Sequence, residues 1–359
     1  MSSSTAIANA NKSGAPTRIG LIGCGFYAQN HLNAWDDLKH EGGVLVAVCD
    51  SDQGRAQAAG DARGVPWFSD AEKMLSALQP DLVDIVTQMN AHRSLVELVA
   101  RHGIGLIVQK PLAPNWEDCL AMAAATARAK VFAAVHENFR YQPQMTRMKE
   151  LIDTNTIGKA TFARISFRIG FDVYASQPYL LTEPRGAILD VGIHLLDLAR
   201  FFCGEVVHVL AETQRRNPRV AAEDTATILL RHESTAVTVV ECTYESRRLP
   251  DTFPETLIEI EGDEGAIHLH AGNRLVITSR GAMTEETVEL PSLDWADPRW
   301  RASQVAVLET NRHLLRSFRT SRPADTSIAD NLNTYALVDA SYLAAERGVA
   351  VVPKRWVEG

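Results

Sequence analysis

The sequence predicts a two-domain α/β chain. A doubly wound parallel-sheet domain comes first, and an α+β domain on one large, mostly antiparallel open sheet follows. Three observations carry this. The chain has 359 residues, more than one typical domain. Its first third alternates short apolar runs with helical stretches at the spacing of βαβ units. Residues 206–290 are nearly all short alternating segments separated by turn residues, the pattern of an antiparallel meander.

In order, strands are expected at 18–22, 44–49, 65–68, 82–87, 105–108 and 131–135. These runs are apolar on both faces, as strands buried between helices must be. Helices are expected from the end of the first strand to about 39, then at 52–62, 71–78, 91–102 and 116–129, the last Ala-rich. The character changes after about Phe139. A helix over 145–153, a strand over 161–170 and a strong helix over 192–202 lead into the meander. Its strands are expected at 206–213, 225–231, 236–243, 257–261, 266–270, 275–278 and 287–290. Helical periodicity returns at 305–319 and 328–347. The expected domains are therefore a tail over 1–17, a first domain over 18–139 and a second over 140–359. The last helix, 328–347, is expected to pack back toward the first domain.

Composition narrows the function. A chain 46% hydrophobic and 22% charged is an ordinary globular protein that needs no disulfide or metal staple. A net charge of −8 and the absence of a basic stripe argue against nucleic acid. Arg215-Arg216 and Arg247-Arg248 read as solvated loop charges. Five cysteines, an odd count with no Cys-x-x-Cys, fit free thiols in a reducing compartment. Residues 1–17 lack a basic start followed by an apolar stretch, so they read as a flexible tail rather than a signal peptide. There is no apolar run of about 18 residues to span a membrane, and a cytoplasmic location is expected.

The first apolar run ends in Gly23-Cys24-Gly25-Phe26-Tyr27-Ala28. With a strand before and a helix after, this is a Rossmann dinucleotide fingerprint with alanine third. Gly23 permits the tight turn, Gly25 lets backbone approach a pyrophosphate, and Ala28 allows close helix–strand packing. The helix N-terminus faces the anion. The next strand ends at Asp50, 22 residues past Ala28, where a carboxylate can accept ribose hydroxyls. That carboxylate repels a 2′-phosphate, Asp52 adds to it, and Arg55 lies a turn further on. NAD is expected rather than NADP.

Oxidising an alcohol with a nicotinamide requires a base for the hydroxyl proton and groups that orient the substrate. Lys110 closes a parallel strand in Val108-Gln109-Lys110-Pro111, where ligands of such sheets bind. It is equally readable as a surface lysine. Asp190 and His194 are four apart, so on an α-helix they share a face. They also read as a helix N-cap and a packed histidine. Thr87, Gln88 and His92 follow a strand and are placed at the cofactor cleft, with Gln109 and Lys110. Asn138 is placed at substrate or nicotinamide, and Arg140 in a structural role. Tyr174 and Gln177, near Phe171 and Tyr179, suit a sugar. His268-x-His270 lies on a strand; two histidines do not make a zinc site, and no metal is expected.

Gly-x-Gly-x-x-Ala, Lys110-Pro111 and Asp190-x-Gly-x-His194, in this order, resemble the glucose–fructose oxidoreductase / inositol dehydrogenase (Gfo/Idh/MocA) family. The resemblance spans nearly the whole chain. It includes Ile157-Gly158-Lys159 and the final helical segment from Asn331 to Arg347. It implies an NAD-dependent sugar or polyol dehydrogenase with Lys110, Asp190 and His194 as the catalytic group. It also implies a homodimer or homotetramer through the second sheet. Segments 25–31, 109–111 and 136–140 are similar to the D-apiose dehydrogenase branch, which implies oxidation of an anomeric hydroxyl to a lactone. An inositol or other aldose dehydrogenase, a non-catalytic NAD-binding regulator and an NAD-using glycoside hydrolase are the alternatives. Two residues depart from the family pattern: Gln109 stands where Glu is usual, and Gln88 where Pro often follows Thr.

Overall fold

The computed structural model describes residues 14–356. Residues 1–13, most of the expected tail, lie outside the described residues. The chain forms two compact units. The first comprises residues 14–138 together with Ala306–Leu332; the second comprises Phe139–Val305 and residues 333–356. Residues 306–332 thus belong with the first unit, although sequence order assigned them to the second.

The first unit is built on β1 (Thr17–Ile22), β2 (Gly43–Cys49), β3 (Trp67–Phe68), β4 (Leu82–Ile85), β5 (Gly105–Gln109) and β6 (Ala133–His136). Between them run α1 (Ala28–Asp37), α2 (Gln53–Arg63), α3 (Ala71–Leu78), α4 (Met89–Arg101) and α5 (Trp116–Ala129). The strand order is β3-β2-β1-β4-β5-β6. β1 pairs in parallel with both β2 and β4, so the order reverses at β1, where such sheets open a crevice for ligands. β4 and β5 are buried throughout, which accounts for their continuous apolar runs. Asp52, Asp70 and Asn115 cap α2, α3 and α5 by accepting backbone N–H bonds, so three starts are fixed by local chemistry. The returning segment covers the β6 edge: Val135 N–H donates to the Thr326 carbonyl at 2.8 Å, and Thr326 Oγ1 donates back at 2.8 Å.

The second unit holds α6 (Pro143–Asp153), β7 (Ala160–Arg168), the short α7 (Val173–Ser176) and α8 (Ile193–Cys203). Then come β8 (Val206–Gln214), β9 (Thr225–His232), β10 (Val237–Thr243), β11 (Leu257–Gly262), β12 (Gly265–His270), β13 (Arg274–Ser279) and β14 (Ala282–Thr287). In chain order the helices α9 (Arg301–Arg319) and α10 (Ile328–Arg347) follow, residues 306–332 of this stretch belonging to the first unit. The sheet order is β14-β13-β12-β11-β7-β10-β9-β8. It is not a pure meander: β7 inserts between β11 and β10 and runs parallel to β10. The last strand, expected at 287–290, lies at 282–287 instead. Arg280 and Gly281 both take positive φ (47° and 82°), a two-residue hairpin turn that pairs Ser279 with Ala282. β14 is almost wholly exposed, so it has no apolar alternation to read.

Candidate active site

In the first unit the candidate residues gather at the carboxyl ends of the parallel strands. Gly23 has φ +98°, and a Cβ there would lie 2.3 Å from the Val86 carbonyl oxygen, so only glycine fits. Gly25 differs: a Cβ there meets nothing within 4 Å. That bare backbone, one turn before α1, is a cradle into which a pyrophosphate fits. Ala28 is fully buried, and Phe26 and Tyr27 are exposed. Asp50 ties the loop down. Its Oδ2 accepts from Cys24 N–H at 2.7 Å and its Oδ1 from Asp52 N–H at 2.8 Å. Each oxygen keeps a second lone pair for a ribose hydroxyl. Arg55 pairs with exposed Asp52 at 3.7 Å. The donor set therefore fits NAD.

Thr87 is half-buried and Gln88 exposed at the end of β4. Lys110 is half-buried beyond β5, and its peptide bond to Pro111 is cis. Two residues expected at the cleft are turned inward. His92 is fully buried, with Nδ1 3.0 Å from the Leu112 carbonyl and Nε2 3.1 Å from the Thr87 carbonyl. Burial pushes its pKa down. It bridges the segments after β4 and β5 rather than lining the cleft. The Gln109 side chain also points inward, to His31. Asn138 is buried and donates to the Tyr27 hydroxyl at 3.3 Å.

In the second unit Asp190 and His194 sit on one helical stretch, but not in plain α geometry. Residues Ile188–Gly192 form a π turn that runs directly into α8. The expected α-helical i,i+4 phase is widened there, as is frequent at functional sites. Gly192 places its backbone against Cys242, whose Sγ would lie 3.5 Å from a Cβ. Asp190 Oδ2 accepts from the Tyr244 hydroxyl at 2.5 Å. Tyr244 is buried, and burial together with the Asp190 charge holds its phenol well above the ordinary range. It therefore stays a donor. His194 is 4% exposed and stacks on Phe139, centroids 3.9 Å apart and planes 2° off parallel.

The residue after Phe139 grips the same helix. Arg140 makes a two-pronged ion pair with fully buried Asp197, Nη2 to Oδ1 at 2.7 Å and Nε to Oδ2 at 2.5 Å. Thr334 Oγ1 donates to Asp197 Oδ1 at 2.8 Å and accepts from Arg200 Nη1 at 2.8 Å. His194 and Asp197 are three apart on α8, so Phe139 and Arg140 hold one helix face at two points. Tyr174 is buried edge-on to Tyr244, ring centroids 6.2 Å apart, and Gln177 Oε1 accepts from Tyr179 at 2.8 Å. Tyr174 lies near Asp190 in the fold of this unit, since Tyr244 touches both. His268 pairs with Glu259 at 2.9 Å. Among the described residues no group of three or more His, Cys, Asp or Glu is arranged to hold a metal. The five cysteines are buried thiols. No helix among the described residues is long and apolar enough to cross a membrane.

Sequence reasoning missed Phe139, Tyr244, and the buried partners of Gln109. Tyr244 lies more than fifty residues from Asp190, and only strand pairing brings it there.

Comparison with known proteins agrees with this geometry. Residues 17–137 match the Gfo/Idh/MocA "Oxidoreductase family, NAD-binding Rossmann fold", and residues 145–268 match the Gfo/Idh/MocA C-terminal domain. The chain is 46% identical to a D-apiose dehydrogenase of Paraburkholderia graminis, over 92% of this chain and 88% of that one. It is 41% identical to a D-apiose dehydrogenase of Rhizobium rhizogenes, over 92% and 96%. Among solved structures, an oxidoreductase from Agrobacterium radiobacter, in complex with NAD+, L-tartaric acid and magnesium, superposes with a TM-score of 0.92. That match is 40% identical and covers 94% of this chain and 98% of the other. A levoglucosan dehydrogenase shares the fold at TM-score 0.82 and 20% identity, over 95% and 100%. Fingerprint loop, parallel sheet, second open sheet and sequence identity converge: the chain belongs to the Gfo/Idh/MocA oxidoreductase family, and its first domain is that family's NAD-binding Rossmann fold.

Proposed function

We propose that this NAD-dependent oxidoreductase is a D-apiose dehydrogenase that oxidises the anomeric hydroxyl of the sugar to a lactone. The observation that carries it is the identity of 46% and 41% to two D-apiose dehydrogenases, each over 92% of the chain. In this reading Gly23, Gly25, Ala28 and Asp50 hold the dinucleotide, with Thr87 and Gln88 beside it. Bound NAD supplies the hydride acceptor. His194 takes the hydroxyl proton as the anomeric C–H bond is broken and the carbonyl forms. Lys110 hydrogen-bonds the same oxygen as charge develops on it. Asp190, steadied by Tyr244, orients the sugar, and the Phe139 face keeps the His194 ring in one plane. Asn138, Tyr174 and Gln177 support the substrate side.

The open face of the second sheet exposes Leu210 (41%) and Leu229 (43%) on β8 and β9. This supports a homodimer or homotetramer through that face. The buried free thiols support a cytoplasmic location. The test is steady-state NADH formation by Lys110→Met and His194→Asn. Each is expected to lose about 10²–10⁴ in kcat, the range for general acid–base groups, with NAD affinity retained. Full turnover by either variant removes that residue from the mechanism.

A further inference from the structure

We propose that Asp84, His31 and Gln109 form a one-directional hydrogen-bond chain that fixes the backbone of Lys110, making His31 and Gln109 positioning residues for that lysine. The functional part of this inference rests on the Lys110 role proposed above.

All three side chains are buried below the ends of β4 and β5: His31 and Asp84 are 0% exposed and Gln109 is 8%. Asp84 Oδ2 accepts from Trp35 Nε1 at 2.8 Å and lies 2.8 Å from His31 Nδ1. His31 Nε2 lies 3.0 Å from Gln109 Nε2. Gln109 Oε1 accepts from the Lys110 N–H at 2.7 Å.

The direction is fixed from the Lys110 end. A backbone N–H only donates, so the Gln109 oxygen must face it and the NH2 group must face His31. An NH2 group only donates, so His31 Nε2 must be the accepting lone pair. The imidazole proton then sits on Nδ1 and points at Asp84. Asp84 Oδ2 faces two N–H donors, Trp35 Nε1 and His31 Nδ1, and a carboxylate oxygen accepts both. A neutral imidazole protonated on Nδ1 is the one state that satisfies every bond in the chain. Buried and mutually polarising, these bonds hold their geometry better than isolated ones.

This explains glutamine at 109. A glutamate there could still accept from Lys110 N–H, but its other oxygen would meet the His31 Nε2 lone pair. The chain then closes only if His31 and that glutamate together take up one more proton, which the imidazole, the stronger base, holds between two carboxylates. The groups facing His31 or its Asp84 partner are Trp35, which donates to Asp84, with Asp84 itself, Gln109, Tyr27 (ring centroids 5.7 Å) and His136 (4.3 Å). Burial pushes the His136 pKa well down, so it is neutral. Asp84 is the one charge among these five. Gln109 therefore gives a chain that holds Lys110 without titrating, whereas the Gln109→Glu substitution gives one that holds only while His31 is an imidazolium.

The test uses the full chain with 15N-labelled histidine, wild type beside Gln109→Glu, with His31→Leu as a second disruption. Imidazole 15N shifts should show wild-type His31 neutral with its proton on Nδ1, and doubly protonated in Gln109→Glu at the same pH. The kcat of Gln109→Glu relative to wild type should fall about tenfold per pH unit once that imidazolium deprotonates, with the NAD dissociation constant unchanged. His31→Leu should lower kcat about tenfold or more at every pH without that limb. A wild-type His31 protonated on Nε2 or on both nitrogens overturns the chain, and so does a Gln109→Glu profile parallel to wild type. The NMR arm requires no turnover. An active Lys110→Met variant would remove the lysine's role while the shifts still decide the chain's direction.

Discussion

Replacing Gly25 by alanine separates binding from folding. The Cβ meets no protein atom within 4 Å, and Gly25 does not hold a left-handed conformation. The apo protein should therefore keep its melting temperature. In the proposed site the methyl group would occupy the space through which backbone N–H groups reach the pyrophosphate. A hydrogen bond to a charged group contributes about 1.5–3 kcal/mol, so losing one weakens NAD binding about 10- to 150-fold. Gly23→Ala is the contrasting control. Its Cβ would sit 2.3 Å from the Val86 carbonyl oxygen at φ +98°. The left-handed conformation alone costs about 1–2 kcal/mol, and the clash with backbone adds to it, so this variant should lose both stability and NAD. Calorimetric titration with NAD and thermal melts of the apo proteins read the two effects. Unchanged NAD affinity in Gly25→Ala would refute the placement of the pyrophosphate. A drop in its melting temperature matching that of Gly23→Ala would refute the reasoning about space.

Three further outcomes follow from the geometry. Asp197→Ala strands the buried Arg140 guanidinium and should cost about 3–5 kcal/mol in urea denaturation, whereas a surface carboxylate such as Asp153 should cost little. Tyr244→Phe removes the donor to Asp190 and should lower kcat/KM about tenfold while the urea midpoint changes little. Stability should fall on acidification. His136, His92 and His232 all have folded pKa values pushed down by burial, His136 to about 3, so below about 6.5 the unfolded chain binds more protons than the folded one. Each contributes a loss of up to about 1.4 kcal/mol per pH unit between its unfolded and folded values. His136→Asn should flatten the dependence of the urea midpoint on pH between about 7.5 and about 5.5, and an unchanged slope would contradict it.

The parallel sheet was legible because burial on both faces leaves strands such as β4 and β5 few polar positions to blur their runs. The fingerprint was legible because Gly23 meets a backbone constraint that no other residue satisfies and Gly25 leaves open space beside the loop. β14 was misplaced because an exposed edge strand needs no apolar period, and the parallel β7–β10 pair is set by long-range topology that no local pattern encodes. Residues 306–332 were placed with the wrong unit for the same reason. Of the residues proposed for catalysis, Lys110, Asp190 and His194 were visible as reactive side chains in punctuated segments. Their supports were not: Tyr244 reaches Asp190 only through strand pairing, and the π turn has no composition of its own. One signal was present and unused. Asp84 stands within the fully buried run Leu82–Ile85, and a carboxylate there must be paired. His31, in the apolar face of α1, and the departure at Gln109 were its partners.

The central claim is tested most directly by NADH formation from NAD with D-apiose, set against myo-inositol, D-glucose and D-xylose at equal concentration, with the product identified by 13C NMR. The account predicts that D-apiose gives the highest kcat/KM by at least about tenfold, a gap of about 1.4 kcal/mol in transition-state binding, and that its C1 appears as a lactone carbonyl. Faster oxidation of myo-inositol, or no reduction of NAD with any of the four, would contradict it.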